Sequence, residues 1–428
     1  MEFRPNDSRL REPLPPLGGN RRTTSTASST MNNSRSETTA KSKSSAPKKR
    51  KTPKRSTVTA DIAGGYRVDY IILLTVILLV SFGVVMVFSS SYYNASLNAS
   101  MQNDMFYFLK KEIKYAILGF VVMFITMHYD YHNYRDQKIT NLLVYAAYWI
   151  VVFLLVMVLL KGETVNGAKR WIWGFQPSEM AKPILILVLA IFLDKGKFNV
   201  NTLKGFVLML LVAVPFMALV VLEPNLSTTI ILAVIWGGMV YIASKVYRYL
   251  YTIAGCGLAG IYYALFIADG FRSKRVAVWR DPFSDMKDTG YQVVQSLYSV
   301  ASGGMFGLGL GCSRQKLGYM PEAQNDIIFA IVCEELGFFG ATILLIIFML
   351  LIWRGVRTAM KARDRFGMLI ASGITIMFAV QVIINVAVVT NTMPNTGIPM
   401  PFISYGGTSL IFMMASAGIL MNISKSIK

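Results

Sequence analysis

The chain has 428 residues, 54% of them hydrophobic and only 15% charged, with 43 Lys and Arg against 23 Asp and Glu for a formal net charge of +20. Its apolar residues fall in about ten runs near twenty residues long, the length that spans a bilayer, which excludes an ordinary soluble domain and predicts a polytopic membrane protein. Three cysteines (Cys256, Cys312, Cys333) without a C-x-x-C give neither a disulfide framework nor a zinc site. Two histidines, His128 and His132, leave little material for His-based metal or nucleophilic chemistry.

Residues 1–66 are rich in Ser, Thr, Asn, Pro, Lys and Arg and nearly devoid of large apolar side chains, so they read as a disordered tail. Residues 1–68 hold 15 Lys and Arg against 5 acids, half of the net charge, with a basic run at Pro47–Lys51. No signal-peptide core precedes the first span, which keeps the tail in the cytoplasm. Beside a membrane span, its basic run is assigned to anionic cytoplasmic-leaflet lipids and not to nucleic acid.

The membrane domain, residues 67–428, is expected to be all-α, with spans at 69–91, 113–128, 140–160, 178–193, 203–222, 227–244, 249–268, 327–352, 367–390 and 404–424. Ten spans put both termini in the cytoplasm. The outer connections are then 92–112, 161–177, 223–226, 391–403 and a long extracytoplasmic loop at 269–326 between spans 7 and 8, too long to be a mere connector. The sequence has no G-x-x-x-x-G-K-[ST], no Rossmann fingerprint and no H-E-x-x-H, which excludes an ATP-driven pump, a nucleotide-sugar enzyme of the usual type and a zincin. Any reaction must draw on an activated substrate.

Four polar segments on the outer side carry the candidate chemistry. In the first, Lys169, Arg170 and Trp171 precede Gln176-Pro177-Ser178-Glu179; Pro177 and Glu179 suit a helix start, and two cations beside a helix N-terminus suit a phosphate. Glu179 and Lys182, three apart, can pair on one helix face. The second, Glu223-Pro224-Asn225, breaks two apolar runs and places a carboxylate against the bilayer, where it needs a partner. The third is the long loop, with Arg272, Lys274, Arg275 and Arg280, then Gly290-Tyr291-Gln292, then a glycine-rich run at 303–311 that would let backbone approach a ligand. It ends at Asp326, the last polar residue before a long apolar helix, where a general base for a lipid-linked substrate has to stand. Burial raises the pKa of such a carboxyl and nearby cations lower it. Glu334 and Glu335 follow about 12–13 Å further along that helix and read as buried structural partners. The fourth, residues 394–409, combines three prolines with paired glycines, an irregular segment tolerated at membrane depth only inside protein or along a cavity.

Together these segments resemble the SEDS family (shape, elongation, division and sporulation; FtsW/RodA/SpoVE) through nearly all of residues 67–428. The most specific pieces are Lys169-Arg170-Trp171, Gln176-Pro177-Ser178-Glu179 with Ala181-Lys182, Pro321-Glu322 through Asp326-Ile327-Ile328-Phe329, Glu334-Glu335-Leu336-Gly337 and Pro401-Phe402-Ile403-Ser404-Tyr405-Gly406-Gly407. The loop is more similar to the division and sporulation branch than to the elongation branch. In two places the chain departs from the family pattern: Asn225 stands where members usually have Asp, with Ser227 for a frequent Gly, and Gln324-Asn325 replaces a common His-Thr.

The resemblance implies a peptidoglycan glycosyltransferase that polymerises lipid II on the outer face of the bacterial cytoplasmic membrane, for septal synthesis, with undecaprenyl pyrophosphate as leaving group. Asp326 would be the catalytic base, and Lys169, Arg170, Trp171, Glu179, Lys182, Arg275, Gln295, Lys316 and Ser404 would bind substrate. A single base giving a β-1,4 link by inversion needs no covalent sugar intermediate. No cofactor is required; a divalent cation (Mg2+ or Mn2+) suits a pyrophosphate, yet the sequence shows no dedicated carboxylate cage. The implied partners are a class B penicillin-binding protein and other membrane proteins of the division machinery. A lipid II transporter, a non-catalytic division scaffold and an elongation- or sporulation-type polymerase are the competing readings.

Overall fold

The computed structural model describes residues 68–427 apart from 166–167, 197–198, 263–270 and 287–289, and at residues 100, 164, 165, 168, 261, 271–275 and 285 the backbone alone. The expected tail at 1–66 lies outside the described residues. In chain order the elements are α1 (Tyr70–Leu97), α2 (Tyr107–His128), α3 (Asn133–Asp136), α4 (Lys138–Lys161), β1 (Glu163–Val165), β2 (Ala168–Trp171), α5 (Pro177–Asp194), α6 (Leu203–Leu222), α7 (Leu226–Ala243), α8 (Arg248–Tyr262), α9 (Phe271–Arg280), α10 (Tyr291–Ser302), α11 (Ile328–Lys361), α12 (Arg365–Val389) and α13 (Gly407–Lys425).

Among the described residues, seven helices (α1, α4, α6, α7, α11, α12 and α13) are long and apolar enough to cross a membrane. The expected spans at 113–128 and 178–193 fall on α2 and α5. Both are helical but carry charges: Lys110, Lys111, Glu112 and Lys114 in α2, and Glu179, Lys182 and Asp194 in α5. The expected span at 249–268 begins on α8 and continues outside the described residues. Short polar side chains start several helices as N-caps: Asp69 accepts from the Ile71 amide at 3.1 Å, Thr202 from Gly205 at 3.2 Å, Asn225 from Thr228 at 3.3 Å and Asp364 from Gly367 at 3.3 Å.

In lipid, helices gain little from burying apolar surface against one another, so close backbone approach and interhelical hydrogen bonds hold the bundle together. The seam of α2 and α13 shows both. A Cβ on Gly119 would strike the Met414 sulfur, one on Gly418 would strike Thr126, and the Thr126 hydroxyl donates to the Ala415 carbonyl at 3.1 Å. α12 is the central helix, packed on α5, α7, α10, α11 and α13 and buried along most of its length.

Charged caps gather at one end. Arg354 of α11 donates from Nε to Asp69 at 2.8 Å, the Asp69 amide donates to Ser424 Oγ at 3.1 Å, Arg135 donates to Asp194 at 2.8 Å, and Tyr131 donates to Asp364 at 2.5 Å. These contacts tie together the start of α1 and α12 and the end of α5, α11 and α13. The other end carries the β1–β2 hairpin, the α6–α7 turn and residues 303–326 and 391–406.

The long loop differs from its expectation in being largely built: α9, a 3-10 turn at Pro282–Asp285 and α10 occupy it, and its glycine-rich run serves the fold. α11 breaks at Gly337 (φ 66°, ψ −168°). Into this break the run inserts its backbone: the amides of Leu308 and Gly309 donate to the carbonyls of Glu334 and Glu335 at 2.9 Å, and those of Phe338 and Phe339 donate back to Gly304 and Met305 at 2.9 and 3.1 Å. The glycines that were expected to approach a ligand approach α11 instead. A Cβ on Gly303 would strike the Cys333 carbonyl, one on Gly307 the Glu335 carbonyl and one on Gly337 the Gly307 amide. The stretch after Gly337 is long enough, at about 1.5 Å per residue, to cross the hydrocarbon core without the turns that carry Glu334 and Glu335. Gly337→Ala combines a positive φ with a backbone clash, and it is expected to cost about 3 kcal/mol or more, read as a large drop in the thermal unfolding midpoint in detergent.

Candidate active site

Asp326 lies one residue before α11's N-cap, and its position is fixed through its backbone. Asn385 of α12, almost fully buried, donates from Nδ2 to the Asp326 carbonyl at 2.7 Å and to the Ile398 carbonyl at 2.8 Å. One amide thereby joins the start of α11 to the irregular 394–406 segment. A second tie follows two residues earlier, where Tyr405 donates its amide to the Gln324 carbonyl at 2.9 Å. The segment itself approaches α1 at Gly83, where a Cβ would strike the Phe402 carbonyl. The half-buried Asp326 side chain is left to face the exposed Gly397: a Cβ built there would lie 3.4 Å from Asp326 Oδ2 and 3.6 Å from Arg170 Nη1. Asp326 and Arg170 therefore both approach the same glycine.

Arg170 comes from β2. The hairpin returns toward α5 by a two-residue turn, Trp173-Gly174 (φ 53° and 70°), closed by mutual backbone hydrogen bonds of Ile172 and Phe175 at 2.9 Å. Arg170 Nη2 donates to the Pro224 carbonyl at 2.5 Å, which ties the hairpin to the α6–α7 turn. Of its neighbours, Lys169 is exposed and Trp171 half-buried. Glu223, beside Arg170, is fully buried with neither oxygen hydrogen-bonded. Burial pushes its carboxyl up to about 8, against the downward pull of Arg170. Asn225 uses its side chain to cap α7, a task Asn performs as well as Asp, so the departure from the family pattern keeps the local fold.

A second polar centre lies inside the bundle. As the spacing predicts, Lys182 and Glu179 pair, with Nζ 2.7 Å from both carboxylate oxygens and both side chains buried. Gln381 of α12 accepts from Lys182 at 2.9 Å, and Ser409 of α13 donates to Glu179 at 2.6 Å. Three helices thus share one ion pair. Gln381 and Asn385 escaped the sequence reading. The signal was there: two amides four residues apart on one face of an otherwise apolar helix.

Other predicted positions sit elsewhere. Lys316 is fully buried and its charge is committed to Glu335 at 2.7 Å, with Ser89 of α1 accepting at 3.1 Å. Glu335 also accepts from Ser89 and from the Gly311 amide, while Glu334 accepts from Ser313, Ser299 and the Arg314 amide. Glu334 and Glu335 are the buried structural partners the sequence suggested. Ser404 accepts from the Met400 amide at 2.8 Å and stabilises the 394–406 turn. Gln295 is half-buried on α10, which Ser296 fastens to the Val389 carbonyl at 3.1 Å. Arg275 lies on α9, and its side chain is outside the described residues.

Among the described residues, no group of three His, Cys, Asp or Glu side chains comes together in a way that could hold a metal ion. The side chains described do not build a cage for a divalent cation.

The fold and site define a polytopic membrane protein with a carboxylate and a guanidinium meeting where the α11 start, the β-hairpin and the 394–406 segment converge. A family profile named FTSW_RODA_SPOVE and described as "Cell cycle protein" matches residues 69–428. The chain belongs to this family. It is 38% identical over 364 residues to "Stage V sporulation protein E" of Bacillus subtilis (strain 168), covering 83% of this chain and 97% of that protein. It is 36% identical over 363 residues to "Probable peptidoglycan glycosyltransferase FtsW" of Geobacter sp. (strain M18), covering 83% and 96%. Its fold is similar to a chain of the structure "Structural coordination of polymerization and crosslinking by a peptidoglycan synthase complex" (TM-score 0.67, 24% identity, 83% of this chain and 97% of that chain). The Thermus thermophilus rod shape determining protein RodA is also similar in fold (TM-score 0.60, 24% identity, 83% and 96%).

Proposed function

We propose that the protein is a peptidoglycan glycosyltransferase that polymerises lipid II into β-1,4-linked glycan strands on the outer face of the cytoplasmic membrane, releasing undecaprenyl pyrophosphate. The observation that carries this reading is the Asp326 carboxylate facing Arg170 across Gly397. Asp326 takes the proton of the acceptor 4-hydroxyl, whose oxygen forms the new bond to the donor anomeric carbon as the bond to the diphosphate breaks. Arg170 stabilises the charge growing on the departing diphosphate. One carboxylate suffices because displacement is direct and inverts the anomeric centre.

In this reading the chain crosses the membrane ten times. The seven apolar helices are joined by α2, α5 and the segment that begins at α8; in α5 the buried Glu179 and Lys182 pair with each other. Both termini are cytoplasmic, at the end tied by Asp69, Arg354 and Ser424. We assign the protein to septal synthesis in division, with FtsW and a sporulation protein among its relatives. The peptidoglycan synthase complex of similar fold favours a class B penicillin-binding protein as partner.

The test is purified full-length protein with its transpeptidase and fluorescent lipid II, with products separated by gel electrophoresis. A ladder of glycan chains is the expected result. Lipid II crossing the bilayer of proteoliposomes without any polymer would replace this reading with transport.

A further inference from the structure

The α6–α7 turn holds a group that the reaction above does not use. Glu223 closes α6, its amide donating to the Leu219 carbonyl at 3.0 Å, and its carboxyl is buried with neither oxygen hydrogen-bonded. Buried polar groups almost always have partners, so such an exception calls for a cause. The next residue, Pro224, holds the Arg170 guanidinium by its carbonyl, and the same guanidinium reaches with Nη1 to Gly397, where Asp326 stands. Among the described residues, the Arg170 guanidinium thus links the Glu223 turn to the Asp326 side of the site. From the elements packed around this turn, β2 brings Arg170 and the exposed Lys169, α4 ends in the exposed Lys161, and α5 brings the mutually paired Glu179 and Lys182. α12 contributes the neutral Gln381 and Asn385. Of these, Arg170 is the one that acts electrostatically on Glu223.

We propose that Glu223 is a positioning residue for Arg170: uncharged, it leaves the guanidinium shared between the Pro224 carbonyl and the side of Gly397 where Asp326 and the substrate diphosphate stand, and on ionising it draws the guanidinium onto its own carboxylate and away from Gly397. This rests on the site being a diphosphate-lipid glycosyltransferase. A buried carboxylate is tolerated only when paired, and among the described residues Arg170 is the cation that acts on Glu223. In the geometry seen, Arg170 bonds the Pro224 carbonyl and no hydrogen bond joins it to Glu223, the arrangement an uncharged Glu223 allows. Burial places the transition near pH 8, so the device works over ordinary conditions. Its sign is fixed: raising the pH through the Glu223 pKa removes Arg170 from the diphosphate.

Binding of undecaprenyl pyrophosphate to the purified full chain, measured at pH 7 and pH 9, tests this. Wild-type affinity is expected to fall by about tenfold, following the shrinking fraction of uncharged Glu223. Glu223→Gln is expected to lack that loss, whatever its affinity at pH 7. Diphosphate ionisation affects both proteins alike, so a parallel loss in the two would overturn the proposal. A second readout is independent of binding. The carboxyl C=O stretch in difference infrared spectra should titrate near pH 8 in the wild type, vanish in Glu223→Gln and persist to higher pH in Arg170→Ala; a band that Arg170→Ala leaves unmoved would overturn it too. Neither readout involves polymer, so a failure to form glycan chains would count against the polymerase reading alone.

Discussion

Asp326→Asn is expected to lower the turnover of lipid II polymerisation by about 10²–10⁴-fold, the usual share of a positioned general base, with the fold intact. The two outcomes separate because Asp326 does its two jobs with different atoms. Its backbone carbonyl accepts from Asn385 and so ties α11 to the 394–406 segment, and Asn keeps that carbonyl. Its side chain faces Gly397 and Arg170, and an amide there keeps the shape but cannot take a proton. The loss should appear in kcat, with the thermal unfolding midpoint unchanged. Asn385→Leu makes the complementary case: it removes the donor shared by the Asp326 and Ile398 carbonyls, and it should lower stability and turnover together.

Lys316→Met is expected to destabilise the protein by about 3–5 kcal/mol, the cost of leaving a buried carboxylate without its cation. Glu335 would retain the Ser89 hydroxyl and the Gly311 amide, which solvate but do not neutralise it. The consequence should spread, because Lys316, Glu335 and Ser89 connect α1, the glycine-rich run and the break in α11. Adding Glu335→Gln removes the stranded charge and should recover part of the loss, a non-additivity that thermal unfolding of the two single variants and the double variant would show. A Lys316 that bound substrate would give the opposite pattern, a raised KM with stability unchanged.

Much of the membrane domain was legible in the sequence because bilayer thickness imposes a length on every span. Seven of the ten predicted runs fall on helices long and apolar enough to span, five of them within three residues of the predicted bounds, and Pro177 and Glu179 marked the start of α5. Legibility failed where one backbone packs on another. Nothing in the run at 303–311 distinguishes glycines that admit a ligand from glycines that admit a broken helix, and only the pairing with residues 334–339 decides between them. The site was half legible. Glu179 and Lys182 share a helix, so their pairing follows from spacing alone. Arg170 and Asp326 are far apart in sequence, and a fold-level convergence brings them to Gly397. Lys316 and Arg170 looked alike as cations in outer segments. Burial separates them, since Lys316 has lost contact with solvent and Arg170 has not.

The central claim is that lipid II is polymerised at the end of the bundle where Asp326, Arg170 and the β-hairpin meet. The most direct measurement is polymerisation by the full chain and its transpeptidase in proteoliposomes of known orientation, with lipid II supplied to one leaflet. Glycan chains should form when the hairpin end faces the lipid II and be absent when the Asp69–Arg354 end does. Equal polymer in both orientations, or none in either, would contradict the account.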